Sequence, residues 1–531
     1  MASATNFEQW ASAASLLDQY EGKNDWKNDP TSEFYDYELL HSRLTQLRKA
    51  RAENDYHALI YLLRTSLSRN FADMGNPALY SQTNVGTKVL IEVYINEVVS
   101  MLNMLADANE EILSTQAKYE LFLNIRQALG RTALLLSGGA TLGINHFGIC
   151  RALNEVKLLP RIISGASSGS IVASVLCTRT DAELDKMLLD GDMNMTCFED
   201  ITEEGVIIGM LSRLLKRGIL FNVDVLLECL QELIGDYTFQ EAYNKTRRIL
   251  NIPVSSSTVY EMPRLLNYVT APNVLIWSAV AASCSVPLFF DSTTIYAKDR
   301  QGNKVPWNPT GKWIDGSVEN DLPMNKLSEM FNVNHFIVCQ VNPHVIPFLK
   351  TAPSTTKIAK FVDWMMYFSK AELLHRVGQL SEIGIMKETM YKIQSIISQK
   401  YVGDITIVPS ISAMDFLKIF SNPSQDEVYE CLSRGEKAIW PKISIIRNHC
   451  HVELCIDQII YRLRLKLFAQ SYNSSIPLSI DNNNNNNNNN NGMNYQEDNE
   501  NEKLKPIPRS ASSSQFLDQK KKMFKHLSTI H

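Results

Sequence analysis

A short apolar run that enters a turn of glycine and serine, and leaves it as an apolar helix, constrains this fold more than any other stretch. The run reads Ile162-Ile-Ser-Gly-Ala-Ser-Ser-Gly-Ser170 and continues as Ile171-Val-Ala-Ser-Val-Leu176. Its Gly165-x-Ser167-x-Gly169 pattern is typical of a nucleophile elbow, where two glycines let the backbone turn sharply and expose the serine hydroxyl at the end of a sheet. A plain tight turn with a helix cap is the alternative, and the flanking strand and helix favour the elbow.

Around this turn, short apolar runs, glycine-rich turns and helices alternate, as in a parallel βαβ sheet. Four segments are therefore predicted: a helical N-terminal region, an α/β domain, a mostly helical C-terminal extension, and a disordered Asn-rich and basic tail (residues 1–125, 126–345, 346–478 and 479–531). The extension is predicted to contain helices over Lys357–Lys400, Ser424–Ile439 and Ile443–Leu467, and a strand at Asp404–Pro409. Ten consecutive asparagines, Asn482–Asn491, cannot bury apolar surface and mark the tail.

Composition excludes several classes of protein. The 531 residues are 45% hydrophobic and 21% charged, ordinary values for a globular protein, so the chain can form a core. The formal net charge of −5 provides no chain-wide attraction for nucleic acid, and no such partner is expected. The nine cysteines are odd in number and widely spaced, which indicates a reducing, intracellular compartment rather than a disulfide framework. No cofactor is predicted.

The tightest group of metal-ligand residue types is His449-Cys450-His451 with Cys455. A structural zinc site needs a second ligand pair at finger-like spacing, and the sequence has none. These side chains are expected to pack in the interior, and no metal site is predicted.

No secretory signal is predicted, because Met1–Trp10 lacks a basic stretch followed by an apolar run. Three charge-free windows occur, at Thr132–Cys150, Ile162–Thr178 and Leu265–Phe290, and the last is long enough to span a membrane. Glycine, serine, asparagine or proline interrupts each window. Buried strands and helices of the α/β domain are therefore the preferred interpretation.

A second glycine-rich turn precedes the elbow. Ala133-Leu-Leu-Leu-Ser-Gly-Gly-Ala-Thr-Leu-Gly143 is an apolar strand that enters a loop and then a helix. Ala140 breaks the dinucleotide-binding fingerprint, and Ile144-Asn145 breaks the P-loop pattern. What remains is a set of main-chain N–H groups at a helix N-terminus, which can hold a negatively charged oxygen. His146, one turn into that helix, is interpreted as a core or capping residue.

An aspartate beside a glycine completes the candidate chemistry. In Trp313-Ile-Asp-Gly-Ser317, two apolar residues precede Asp315 and a glycine follows it. An Asp–Gly pair is most often only a turn. A serine that cleaves esters needs a base. A Ser-Asp-His triad would need a histidine after Asp315, and no candidate has a setting that the sequence recommends. Those candidates are His335, His344, His375, His449 and His451. A two-residue site, in which Asp315 acts directly on Ser167, needs no histidine.

In this order the three motifs resemble the patatin-like phospholipase and lipase family, and most closely its fungal and plant storage triacylglycerol lipases. The family signature is a glycine-rich oxyanion loop, G-x-S-x-G and D-G-[GAS], matched here by Gly138–Gly143, Gly165–Gly169 and Asp315–Ser317. Further blocks extend the likeness over nearly all of the chain before the asparagines: Trp26-Lys27, Tyr35–Leu39, Arg69–Tyr80, Thr246–Ile252, Ala271–Cys284 and Trp440–His449.

The resemblance implies an α/β fold with a patatin-like α/β/α core sheet, a helical N-terminal region, a helical C-terminal extension and a disordered tail. It also implies a serine acyl hydrolase. Asp315 would accept the proton of Ser167, whose oxygen attacks an ester carbonyl, and water would later release the acyl group. Main-chain N–H groups of Gly138 and Gly139 would stabilise the oxyanion. The motif-supporting glycines would be Gly143, Gly165, Gly169 and Gly316.

Three functions stay open. The first is hydrolysis of neutral glycerolipid, as by a triacylglycerol lipase, at a lipid droplet or membrane surface. The second is a phospholipase A or a lysophospholipid transacylase that uses the same dyad, and the third is a non-enzymatic lipid-surface protein. No histidine has an aspartate five positions later, so a separate H-x-x-x-x-D acyltransferase centre is not expected. Ala140-Thr-Leu142 replaces the basic residue that many relatives carry in the glycine loop, which weakens the case for an anionic phospholipid.

Attachment to the lipid surface is expected to be peripheral. Lys360–Leu374 is rich in aromatic side chains that fit an amphipathic surface helix or a core equally well. Lys503–His531 carries seven basic residues and one aspartate, and it fits either an anionic lipid surface or a solvated tail. The oligomeric state is left open.

Deletion of residues 479–531 is expected to leave folding and in-vitro ester hydrolysis intact, because the predicted tail has no share in a core. Thermal unfolding and hydrolysis rates of the shortened and full-length chains would be compared. A large loss of soluble activity would contradict the predicted boundary.

Overall fold

The structure is a computed structural model that describes most of the chain up to residue 474. The described residues are 1, 3–190, 221, 223–256, 264–286, 289–308, 313–315, 321–343, 345–346 and 401–474, with seven single positions between 365 and 379. The chain divides into two compact units, Met1–Asn473 and Ser474–His531. The predicted tail, Gly316 and most of the predicted helical stretch Lys357–Lys400, with most of Lys360–Leu374, lie outside the described residues.

A mixed sheet forms the centre of the first unit. The described strands are β1 (Arg131–Leu136), β2 (Ile162–Gly165), β3 (Ile249–Ser256), β4 (Arg264–Leu266), β5 (Tyr296–Lys298), β6 (Lys304–Pro306), β7 (Trp313–Asp315), β8 (Val333–Cys339) and β9 (Ile405–Ile407). Seven of them pair in the order β4-β3-β2-β1-β8-β9, with β7 also on β3, while β5 and β6 form a separate hairpin. β3, β2, β1, β8 and β9 are parallel, and β4 and β7 run antiparallel to β3.

Helices cover both faces of this sheet. Leu134 and Leu136 of β1 contribute to one apolar core, whereas Ala133 and Leu135 contribute to another, as alternation along a strand requires. A parallel strand buried on both faces reads as a continuous apolar run, which is why β1 lacks polar alternation. The α/β core sheet expected from the sequence is confirmed. The strand predicted at Asp404–Pro409 is confirmed as β9.

The N-terminal half is helical before β1 and alternates with strands after it. Its described helices are α1 (Phe7–Tyr20), α2 (Lys23–Asn28), α3 (Tyr37–Ala52), α4 (Tyr56–Ser66), α5 (Pro77–Ser81), α6 (Val89–Asp107), α7 (Thr115–Leu129), α8 (Asn145–Glu155), α9 (Ser168–Thr178) and α10 (Asp181–Asp190). The later ones are α11 (Val223–Ile234), α12 (Phe239–Thr246), α13 (Ile276–Cys284), α14 (Met324–Phe331), α15 (Ala413–Leu417), α16 (Gln425–Ile439) and α17 (Ile443–Ser474).

The two long C-terminal helices pack on elements from distant parts of the sequence. α16 lies so close to α8 that a Cβ on Gly148 would fall 2.0 Å from the carbonyl oxygen of Leu432, and one on Gly435 would fall 2.1 Å from that of Asn145. α17 supplies Ile456, Ile459 and Leu463 to a third core, which it shares with α3, α4, α6 and α7. The boundaries between the four predicted segments stay a prediction.

Among the described residues, α6 is the helix with the length and hydropathy to cross a membrane, and half of that apolar window is buried. Ile91, Val98 and Leu102 of α6 lie in the third core, so the helix also fits the interior of a folded domain. The charge-free window Leu265–Phe290 contains the end of β4 and all of α13, which is fully buried.

A buried polar network joins the N-terminal region, the beginning of β1 and α17. The Glu453 carboxylate accepts hydrogen bonds from Arg69 (3.0 Å), from Arg126 (3.1 Å) and from the main-chain N–H of Thr132 (3.0 Å). Its burial is therefore compensated by two cations and a fixed donor.

The residues considered as metal ligands are engaged in separate packing contacts. His449 Nδ1 lies 2.9 Å from His335 Nε2, Cys450 Sγ lies 3.7 Å from the Thr132 hydroxyl, and Cys455 Sγ lies 3.7 Å from Asn103 Nδ2. They point to different neighbours rather than to one common point.

The His335–His449 pair is expected to make the protein acid-sensitive. Burial, with the charges of neighbouring basic groups adding to it, lowers the pKa of His449 to about 4 and that of His335 to about 2. Unfolded histidine titrates near pH 6.5, so the unfolded chain binds protons that the folded chain does not. The free energy of unfolding should fall as the pH drops below 6.5, by on the order of 2 kcal/mol for each ring between pH 7 and 5.

Urea unfolding at several pH values would measure this loss. His449→Gln should flatten the dependence, while His41→Asn at an exposed position on α3 should not. An unchanged slope in His449→Gln would contradict this origin of the acid sensitivity.

Candidate active site

The predicted elbow is a strained turn between β2 and α9. Ser167 has φ 49° and ψ −127°, a conformation that costs a non-glycine residue about 1–3 kcal/mol. Two hydrogen bonds help hold it: the Ser167 N–H donates to Ser283 Oγ (3.1 Å), and Ser170 Oγ donates to the Ser167 carbonyl (2.6 Å). Strain retained at one serine at the end of a parallel sheet is what a nucleophile elbow requires.

The two outer glycines of this turn are needed for close approach of the main chain. A Cβ on Gly165 would lie 2.1 Å from the carbonyl oxygen of Gly169, and a Cβ on Gly169 would lie 2.2 Å from that of Leu136. Gly143 meets the same turn, since a Cβ there would fall 2.5 Å from Ser168 Oγ. Any side chain at these positions would push the strand, the turn and the glycine loop apart.

Asp315 ends β7 and is fully buried, and its N–H donates to the Ser285 carbonyl (3.0 Å). Ser283, two residues before Ser285, accepts the N–H of Ser167. Cys284, between these two serines, interacts electrostatically with Asp315 and through a hydrogen bond with Ser167. Burial raises the pKa of its thiol, the charge of Asp315 raises it further, and hydrogen bonds with Ser170 and Ser167 lower it. The end of α13 therefore brings the predicted serine and aspartate to one place.

The glycine loop after β1 lies against the elbow. A Cβ on Gly138 would lie 3.2 Å from Ser167 Cβ, and one on Gly139 would lie 2.9 Å from the Val341 carbonyl oxygen. The Gly138 N–H donates to Asp321 Oδ1 (3.2 Å). The main chain of the loop therefore lies beside Ser167. One of the two predicted oxyanion donors, the Gly138 N–H, already donates to the Asp321 carboxyl group. The donor roles of Gly138 and Gly139 stay a prediction.

An apolar cavity opens beside Ser167. Its described lining consists of apolar side chains, main chain and three hydroxyl residues, Thr141, Ser167 and Ser168, and none of the described residues that line it is charged. Phe147, Leu226, Phe290 and other apolar side chains form its walls. Such a space suits a hydrocarbon chain attached to a group that reacts at the serine.

Family profiles match two parts of the chain. Residues 134–327 match one described as "Patatin-like phospholipase", and residues 1–127 match one described as "Domain of unknown function (DUF3336)". The first match includes all three motifs of the site.

Curated relatives match over most of the chain. "Triacylglycerol lipase 4" of Saccharomyces cerevisiae is 41% identical over 488 residues, which cover 88% of this chain and 53% of that protein. "Triacylglycerol lipase SDP1L" of Arabidopsis thaliana is 37% identical, covering 87% and 58%. "Triacylglycerol lipase ptl3" of Schizosaccharomyces pombe is 39% identical over 466 residues, covering 87% of this chain and 96% of that protein.

The chain belongs to the patatin-like lipase family. The family expected from the three motifs is thereby confirmed. This patatin-like chain spans about half the length of its S. cerevisiae and A. thaliana relatives, and nearly the whole of the S. pombe one. The roles of Ser167, Asp315 and the surrounding glycines stay predictions.

In this patatin-like fold, two histidines of the alternative triad, His335 and His449, lie away from the elbow. His335 and His449 contact Thr132 and Arg69 at the beginning of β1, whereas the elbow follows the carboxyl end of its parallel neighbour β2. His146 is buried below the glycine loop and its Nε2 donates to the Ser137 carbonyl (3.0 Å). Burial lowers the pKa of His146 to about 4, as for a neutral structural histidine.

Asp321 and Asn342 were not found by sequence reasoning. Asp321 is 2% exposed, and its carboxyl accepts the Gly138 N–H and the Asn342 side-chain amide (2.7 Å). Burial, with the charge of Asp315 adding to it, raises the pKa of Asp321 to about 7, against these two hydrogen bonds. One signal was present: Asn342 follows the carboxyl end of β8, where polar residues of parallel sheets gather around sites.

Asp321→Asn is expected to remove a step from the pH dependence of activity. As Asp321 ionises near pH 7, its negative charge competes for the Gly138 N–H and opposes an oxyanion held there. In the wild type, kcat/KM should therefore decline as the pH rises through about 7. The asparagine stays neutral, so its profile should lack that decline.

Hydrolysis of a short soluble ester between pH 5 and 9 would measure both profiles. Asp299→Asn, in the turn that joins β5 to β6 and outside the cavity lining, supplies the control. Identical profiles for the wild type and Asp321→Asn would show that Asp321 does not titrate beside the reacting oxygen.

Proposed function

We propose that this chain is a triacylglycerol lipase, a serine acyl hydrolase that cleaves glycerolipid esters at a lipid surface through Ser167 and Asp315. The observation that carries the proposal is the strained Ser167 beside an apolar cavity whose described lining contains no charged residue. The buried Asp315 is held nearby, since its N–H donates to the Ser285 carbonyl two residues after Ser283, which binds the Ser167 N–H. A hydroxyl, a buried carboxyl and room for a hydrocarbon chain are the parts that ester cleavage on a lipid requires.

The proposed reaction has two halves. In the first, Ser167 Oγ attacks the ester carbonyl while its proton passes to the Asp315 carboxylate. The tetrahedral intermediate then collapses, the C–O bond to glycerol breaks, and the leaving alkoxide takes the proton. In the second, Asp315 takes a proton from water, the water oxygen attacks the acyl-serine, and the fatty acid leaves as Ser167 recovers its hydrogen.

Main-chain groups of the glycine loop would stabilise the oxyanion in both halves. A Cβ on Gly138 would lie 3.2 Å from Ser167 Cβ, so the absence of a side chain leaves space beside the serine. One preorganised donor of this kind lowers the activation free energy by about 3 kcal/mol. The cavity would add about 0.8 kcal/mol for each buried methylene of the acyl chain.

The names of the relatives support a neutral glycerolipid as the substrate. Those reported above are named triacylglycerol lipases. The described cavity lining has no charged side chain that would pair with a phosphate. We infer an intracellular protein that attaches peripherally to a lipid droplet or membrane.

A phospholipase A or lysophospholipid transacylase that uses the same dyad is the second candidate. It is favoured by the description of the matching profile, which names a phospholipase. The acyl-enzyme would be common to both reactions, and only the acceptor, water or a lyso-lipid hydroxyl, would differ. A non-enzymatic lipid-surface protein would have no use for a strained serine.

Ser167→Ala and Asp315→Asn are each expected to lower the hydrolysis of emulsified triacylglycerol by about 10³-fold or more. The first removes the attacking oxygen and the second removes the carboxylate that accepts its proton. Ser174→Ala, in the same helix but outside the cavity, should keep the wild-type rate.

Release of labelled fatty acid would be followed for each variant, with a labelled lyso-lipid added in a parallel set. Undiminished hydrolysis by Ser167→Ala would end the proposal. Transfer of label to the lyso-lipid faster than to water would favour the transacylase.

A further inference from the structure

Part of the wall of the apolar cavity comes from a segment far outside the patatin-like match. Phe420 and Pro423 line the cavity, whereas the profile ends at residue 327. They belong to residues 412–423, which comprise α15 and the turn after it. We call this segment the strap.

Thr141 of the glycine loop fixes the strap on both sides of Phe420. The Thr141 N–H donates to the Ile419 carbonyl (3.1 Å). Its hydroxyl lies 2.6 Å from the same carbonyl oxygen and 3.1 Å from that of Ser421. Since both chain neighbours of Phe420 are bonded to one residue, the direction of the Phe420 side chain is set by the loop that approaches Ser167.

Phe420 completes an aromatic wall. Its ring stacks on Phe289 at a centroid distance of 4.3 Å and lies 6.1 Å from Phe221, which in turn lies 5.6 Å from Phe290. The Phe221 N–H also donates to the Phe289 carbonyl (2.8 Å). Rings that support one another in this way resist displacement, so the width of the cavity is defined before a ligand enters.

Two ion pairs attach the strap to α16. Asp415 pairs with Arg434, and Lys418 pairs with Glu427. α16 packs against α8, the helix that follows the glycine loop. The strap is therefore anchored at two places to the loop-and-helix unit beside Ser167.

We propose that Phe420, positioned by Thr141, determines which acyl chains the site accepts. The inference rests on the proposed function for the nature of the ligand, an unbranched acyl group. Methylenes that pass the aromatic wall lose contact with water and gain contact with the ring. A longer chain should gain more from this wall than a chain too short to reach it.

The test compares p-nitrophenyl laurate with p-nitrophenyl butyrate. Phe420→Ala is expected to lower the laurate-to-butyrate ratio of kcat/KM by about tenfold. Phe420→Leu, which keeps an apolar wall, should lower it less. Thr141→Val loses the hydroxyl contacts but keeps the main-chain bond, so a smaller fall in the same direction is expected.

Phe468→Ala is the matched control, because Phe468 is 61% exposed on α17 and does not line the cavity. Its ratio should equal that of the wild type. An unchanged ratio in Phe420→Ala, with a wild-type melting temperature, would overturn the inference.

A binding measurement separates this outcome from failure of the proposed function. Calorimetry in the Ser167→Ala background would give the affinities of laurate and octanoate below their critical micelle concentrations. Phe420→Ala should weaken laurate binding more than octanoate binding. If Ser167→Ala still hydrolysed both esters, the proposed catalysis would fail, and this measurement would still decide the role of Phe420; equal weakening of both acids would reject it.

Discussion

The close approach of main chain to main chain at one edge of the sheet is the constraint on which the site depends. β1, β2 and β8 are parallel, so the loops after their carboxyl ends meet at that edge, and they carry Gly138, Ser167 and Asn342. The loops interlock within distances that exclude a Cβ at Gly165 and Gly169. A serine can be held in a strained conformation there because the surrounding backbone has no room to relax.

The C-terminal extension contributes to this arrangement from outside the three sequence motifs. α16 fits against α8 through two glycines, and the strap bonds to Thr141 in the loop between β1 and α8. The geometry of the glycine loop is thus supported on its outer side by residues nearly three hundred positions later in the chain.

Much of the fold could be predicted from local pattern. The apolar runs before Gly138 and Gly165 are strands because both faces of a parallel strand are buried. The helices predicted over Ser424–Ile439 and Ile443–Leu467 are observed as α16 and α17. The motif residues are local features as well. Asp321 and Phe420 escaped prediction because their importance lies in contacts across long sequence separations, which leave no periodicity or spacing to read.

The 32 residues of α17 extend for about 48 Å and join two of the three apolar cores. Its first turns contribute Ile443, Ile446 and Cys450 to the core on one face of the sheet, and its later turns contribute Ile456 and Ile459 to the helical N-terminal core. A chain that stopped at residue 345 would lack α17, and the parts of both cores that α17 covers would be exposed to solvent. The segment that holds the three motifs therefore shares its apolar core with a helix that begins about 100 residues after that segment ends.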